Sequence, residues 1–67
     1  MDTRDLDVFV AVYEAKSISK AAKERFLSPQ GCSKVIQKLE HELGCTLFAR
    51  HHYGVRPTPH GDALYQR

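Results

Sequence analysis

Leu6, Phe9, Val10 and Tyr13 fall at i, i+3, i+4 and i+7 along the start of the chain. That is the stripe of an amphipathic helix and predicts one from about Thr3 to Ala15, with Asp2 or Thr3 as its N-cap. Val8 and Val12 add a second apolar strip on another flank, more than a lone three-helix core needs. Two readings of that strip stay open, a surface for a partner or ordinary exposed apolar residues.

Ser17-Ile18-Ser19 interrupts the period. Ser19 is a natural cap for a short second helix through Ala21 and Ala22 to about Phe26, the paired alanines permitting close helix contact. Leu27-Ser28-Pro29 then places a cap serine before a proline at the first helical position, so a third helix begins there. Its apolar residues Cys32, Val35, Ile36, Leu39 and Leu43 keep helical spacing, and Gly44 supplies a left-handed stop. Pro29 to Leu43 spans about 22 Å as a helix. The opposite face reads Gln30, Ser33, Lys34, Gln37, Lys38 and His41, with acids only at the distal Glu40 and Glu42. Amides, a hydroxyl and amines are the groups that bond base edges and phosphates. A merely solvated helix mixes Glu with Lys.

Thr46-Leu47-Phe48 and Val55-Arg56-Pro57-Thr58 read as two short strands joined by His51-His52-Tyr53-Gly54, with Gly54 suited to a positive φ. Pro57 marks an edge or strand end, since it donates nothing to a ladder. Thr58-Pro59 repeats the cap-then-proline signal, predicting a fourth helix through Ala63, Leu64 and Tyr65 that is still running at Arg67, as at the front of a longer polypeptide. The fold class is therefore mainly α, a winged helix-turn-helix: a three-helix core, a two-stranded β wing and the start of a further helix. In that architecture the third helix enters the major groove and the wing reaches phosphates or the adjacent minor groove.

Charge sharpens the picture. Residues 1–15 carry −3, residues 16–38 carry +5 and the remainder is neutral, within a net +2. The basic part coincides with the second and third helices, which suits either a polyanion there or simply a solvated face, and charge alone does not decide between them. At 67 residues, 42% hydrophobic and 27% charged, the chain reads as one small globular domain with little surface for a deep substrate pocket. A binding module is expected, not an enzyme. The longest apolar stretch is too short for a bilayer and the acidic start lacks the basic opening of a signal peptide, so a cytoplasmic location and no membrane partner are expected.

Other chemistry is weaker. Cys32 and Cys45 match no metal or redox spacing and read as buried free thiols. His51, His52 and His60 invite a metal, yet adjacent histidines on a strand point to opposite faces. No metal and no cofactor are expected, and His52 is read as a phosphate or groove contact of the wing. Cys32 and His41 lie about two and a half turns apart on one helix, too far for a nucleophilic pair. Two rival classes remain: a winged helix used for protein interaction, which would want an apolar outer face on the third helix, and a sequence-independent nucleoid-coating protein.

The sequence resembles the N-terminal DNA-binding domain of LysR-type transcriptional regulators. The resemblance runs through Leu6-x-x-Phe9-x-x-Val12, Ser17-Ile18-Ser19-Lys20-Ala21-Ala22, Ser28 with Ser33, Ile36-x-x-Leu39-Glu40-x-x-Leu43-Gly44-x-x-Leu47-Phe48-x-Arg50 and Thr58-x-x-Gly61. It implies a DNA-binding domain over residues 1–58 and the start of a linker and dimerisation helix over 59–67. It further implies a bacterial regulator of double-stranded DNA that pairs as homodimers or tetramers through that helix, with a small-molecule effector bound only in a C-terminal domain absent from this sequence. Val8 and Val12 are then the surface the linker helix would cover. The family's DNA contacts fall on Ser28, Pro29, Gln30, Ser33, Lys34 and Lys38, on Ser19 and Lys20, and on Arg50 and Arg56. Gln30 and Ser33 are expected to read base edges, with Lys34 shared between base and backbone. Three positions depart from the usual pattern. Pro29 precedes Gln30 where Gln comes first, which leaves open which of the two meets the first base. Arg25 replaces a core leucine, so either its stem packs or Phe26 takes the core role. Cys32 stands where Leu or Val is usual.

Overall fold

Every helix of the chain opens on a side-chain cap. In the computed structural model, which describes residues 2–51 and 54–67, the order is α1 (Thr3–Ala15), α2 (Ile18–Glu24), α3 (Pro29–Leu43), β1 (Phe48–His51), β2 (Gly54–Pro57) and α4 (Pro59–Tyr65). Asp2 accepts from the Asp5 amide at 2.9 Å, Ser17 from Lys20 at 3.2 Å, Ser28 from Gly31 at 3.0 Å and Thr58 from Gly61 at 3.1 Å. Each side chain satisfies an amide the first turn leaves unpaired. α1 and α3 have the bounds their periodicity predicts.

α2 differs from its prediction at both ends. Its cap is Ser17, not Ser19, because Lys16 adopts a left-handed conformation (φ 56°) that ends α1 and leaves Ser17 extended. It stops at Glu24 rather than Phe26. The Leu27 amide reaches back to the Ala22 carbonyl at 2.8 Å and the Phe26 amide to Lys23 at 3.3 Å. This is a left-handed helix stop with Phe26 (φ 58°) in the position glycine favours. Phe26 is 96% exposed, so it does not take the core role; Arg25 is also exposed, bordering a shallow cleft with Val8, Leu27 and Val35.

The second strip of α1 lies deeper than expected, while of the first only Phe9 is fully buried. Val8 and Val12 are 7% and 0% exposed and belong to the core, which corrects their reading as a surface for a partner or a linker helix. The side chains of Ala21 and Ala22 are small enough to bring α2 close, so the Val8–Val12 flank turns inward with Phe9 onto Ile36 and Leu39. Leu6, Val10 and Tyr13 instead border α4, beside Leu64 and Tyr65. There the Tyr13 and Tyr65 rings stack at 3.8 Å, the Tyr13 hydroxyl donates to Asp62 at 2.7 Å and the Tyr65 hydroxyl to Glu14 at 2.6 Å. Leu43, predicted inward, stays exposed at the rim.

The hairpin is antiparallel, pairing Phe48 with Pro57, Ala49 with Arg56, Arg50 with Val55 and His51 with Gly54. β1 begins at Phe48 rather than Thr46 because Glu40 captures the backbone first: its Oε2 accepts from the Leu47 amide at 2.7 Å and the Phe48 amide at 3.2 Å. On the far side β2 gives way at Thr58, whose amide donates to the Leu47 carbonyl at 3.0 Å. Two glycines permit close approach. A Cβ on Gly54 would lie 2.3 Å from the Lys16 carbonyl oxygen, and one on Gly61 would lie 2.3 Å from that of Leu47. α4 runs from Pro59 to Tyr65 with Gln66 as its C-cap, and the Arg67 amide bonds three residues back, to Leu64. Helices α1 to α3 with this ribbon form a winged helix-turn-helix.

Candidate nucleic-acid interface

The first half of α3 borders an open groove lined by Ile18, Ser19, Pro29, Gln30, Ser33, Lys34, Gln37 and Arg50. Three elements supply it: the first turn of α2, the N-terminal half of α3 and strand β1. Pro29, Gln30, Lys34 and Gln37 are exposed along one stripe of α3, with Ser33 half-buried between them. Ser28 stands outside this stripe chemically, since its hydroxyl already accepts from the Gly31 amide; it fixes where α3 begins. Arg50 leans from β1 across to α3 and donates to the Ser33 hydroxyl. A second depression continues past Ser19 and Arg50 along Ser17, His51, Gly54 and Val55. No Asp or Glu lines either one. The groove is thus a strip of amides, hydroxyls and two cations, the equipment for base edges and phosphates.

The structure gathers Ser19, Pro29, Gln30, Ser33, Lys34 and Arg50 on this face, and leaves three other predicted positions, Lys20, Arg56 and Lys38, elsewhere. Lys20 is exposed on α2 but borders neither depression. Arg56 pairs with Ala49, on the face of the hairpin opposite Arg50 and Val55. His52 lies outside the described residues. Lys38 turns toward α1, its Nζ 3.1 Å from Asp5 Oδ2. The hydrogen bond to Asp5 and that carboxylate's charge hold the Lys38 ammonium above the ordinary lysine pKa. Gln37, Ile18, Ser17 and His51 join the two depressions without having been singled out as contacts. The spacing of Gln30, Ser33, Lys34 and Gln37 on one stripe signals Gln37; nothing local signals Ile18, whose place depends on how α2 meets α3.

Away from the groove, Cys32 is fully buried and its thiol is pushed up in pKa by that burial, which keeps it protonated and inert. Among the described residues no helix is long and apolar enough to cross a membrane.

Residues 3–62 match the family model described as bacterial regulatory helix-turn-helix protein, lysR family. The HTH-type transcriptional activator IlvY of Haemophilus influenzae is 38% identical over 66 residues, covering 98% of this chain and 23% of that protein. The HTH-type transcriptional regulator BenM of Acinetobacter baylyi is 42% identical over 66 residues, covering 98% of this chain and 22% of its own. The chain therefore spans less than a quarter of the length of these relatives. Among solved structures, a complex of the CbnR DNA-binding domain with DNA superposes with a TM-score of 0.95 at 36% identity, covering 98% of this chain and 76% of that one. The BenM DNA-binding domain bound to benA site 1 DNA gives 0.92 at 42% identity, covering 98% and 74%. With the family model running from the first turn of α1 into α4, the chain belongs to the lysR family of bacterial regulatory helix-turn-helix proteins.

Proposed function

We propose that this chain binds double-stranded DNA sequence-specifically, as the DNA-reading part of a bacterial transcriptional regulator. The observation that carries the reading is the acid-free groove in which the N-terminal half of α3, Ser19 of α2 and Arg50 of the wing meet. α3 lies in the major groove, with Gln30 and Ser33 toward base edges and Lys34 between base and backbone. Pro29 adds an apolar contact at the helix start. Ser28 sets the register of α3, Ser19 and Arg50 contact the flanking backbone, and Lys20, Arg56 and His52 reach phosphates farther out. The work is binding, not catalysis, and its place is the bacterial cytoplasm where the DNA lies.

In the longer regulator, residues 59–67 begin a linker helix through which copies pair as dimers or tetramers, and a C-terminal domain binds a small-molecule effector. Membership of the family supports this reading, as does a CbnR structure described as full-length and complexed with its target DNA. Selection of bound duplexes from a random library tests the central claim. An enriched motif is expected; retained binding without enrichment would mean sequence-independent coating instead, and no binding at all would leave a protein-interaction module. That last reading is opposed by the polar exposed stripe of Gln30, Lys34 and Gln37.

A further inference from the structure

Asp5 is the one buried charged residue of the described core, 8% exposed on the inward side of α1. Its Oδ2 has no partner besides the Lys38 ammonium, which faces it at 3.1 Å. The lysine itself is 58% exposed on α3, one turn beyond Lys34. By its position on the helix it belongs with the DNA-facing amines, and by its contact it does not. An ammonium that left for a phosphate would strand a buried carboxylate without a counter-charge, and such a loss outweighs what one solvent-exposed phosphate contact returns. The surroundings favour retention as well. Asp2 and Glu42 add negative potential at the lysine, and Asp7, Arg4 and Arg25 share the adjoining cleft with Asp2 and Asp5.

We infer that Asp5 is a positioning residue that retains Lys38 on the α1 side of α3, so that the DNA interface carries one phosphate-neutralising cation fewer than its sequence offers. The inference rests on the DNA-binding reading and adds a limit to it: α3 meets DNA through its first two turns, ending at Gln37. Asp5 thereby sets how steeply affinity depends on salt, and with it the balance between base-specific and non-specific binding.

The test is a salt titration of binding to a mixed-sequence duplex of about two helical turns, using the 67-residue chain. Asp5→Asn keeps the side-chain volume and removes the charge that retains the lysine. It is expected to steepen the log-log slope by about 0.9 and to tighten binding about fivefold to tenfold near 0.1 M salt. Asp7→Asn, which changes the net charge equally but frees no lysine, is expected to leave the slope at its native value. Asp5→Asn combined with Lys38→Gln is expected to return it there. Lys38→Gln alone reads the same point from the other side: a retained lysine leaves the slope unchanged on removal, whereas a phosphate-bound one makes it shallower by about 0.9. An unchanged or shallower slope in Asp5→Asn, or equal steepening in Asp7→Asn, overturns the inference while leaving DNA binding intact. A native chain with no salt-dependent binding overturns both.

Discussion

The two halves of α3 both carry polar side chains and use them in different directions, acids appearing only in the second. Up to Gln37 the amides, the hydroxyl and the amine of the polar face open onto the groove shared with Ser19 and Arg50. From Lys38 onward two of them are claimed by the rest of the domain, the lysine by Asp5 and the Glu40 carboxylate by the amides of Leu47 and Phe48, while His41 and Glu42 stay exposed. What separates the halves is the neighbour each meets. The N-terminal half has only the short α2 and the wing beside it, and the C-terminal half runs under α1 and over the connection to β1. A polar residue on a helix face is therefore available for recognition only where no backbone amide or buried charge claims it first.

The comparison breaks most visibly at Glu40. Glu40→Ala removes the acceptor of two backbone amides and should cost about 3 kcal/mol in urea denaturation, with Glu40→Gln about half that. A loss no larger than that of an exposed residue would mean that the C-terminal half is as free as the N-terminal one. Gln30→Ala should leave stability alone and remove about 2 kcal/mol of discrimination between a selected and a scrambled duplex at one fixed salt, most non-specific affinity surviving. Undiminished discrimination would move base reading to Pro29, Ser33 or Lys34.

Smaller effects sharpen the contrast. Phe26→Gly relieves a left-handed backbone at the entry to α3 and sacrifices no buried surface, so thermal denaturation should show a gain of about 1 kcal/mol, less what glycine adds to the freedom of the unfolded chain. The slightest change expected is with pH, and it belongs to the anchored side. Tyr13 and Tyr65 are held above the ordinary tyrosine value, first by donating to Asp62 and Glu14, and Lys38 is raised first by its bond to Asp5. Each has a folded pKa above its unfolded one. Its contribution is thus whole below about pH 10 and is lost as pH climbs through the folded value. Stability should be flat through neutrality and fall in the alkaline range, and Tyr65→Phe should remove a late-titrating phenolate from the absorbance curve. A phenolate absorbance curve identical to that of the native chain would mean Tyr65 makes no such bond in solution.

Elements fixed by adjacent residues were legible in the sequence. α3 needs only Ser28-Pro29 in front, Gly44 behind and apolar spacing between, and α1 is as local. Where two residues compete for one role, tertiary structure decided. Ser17 and Ser19 are equally able caps, and the left-handed turn at Lys16 selects the first. Two apolar strips on α1 are equally plausible inner faces, and the alanines of α2 select Val8 and Val12. The groove was legible as a stripe on α3. The diversion of Lys38 was not, since Asp5 lies 33 positions away in sequence and carries no signal that it will be buried beside that lysine.

The wing is fastened at its root and again near its turn. Glu40 grips the start of β1 and the Lys16 carbonyl accepts from the Val55 amide at 3.2 Å, beside a glycine whose missing side chain allows the contact. Arg50, which pairs with Val55 at the second fastening and donates to the Ser33 hydroxyl, is thus held at a set distance from α3, like one jaw of a caliper. On the proposed DNA-binding reading, a duplex whose backbone spacing differs from that gap would have to narrow, widen or bend to be gripped, so the elastic work of adjustment would fall on the nucleic acid, and sequence preference is expected to extend beyond the contacted base pairs.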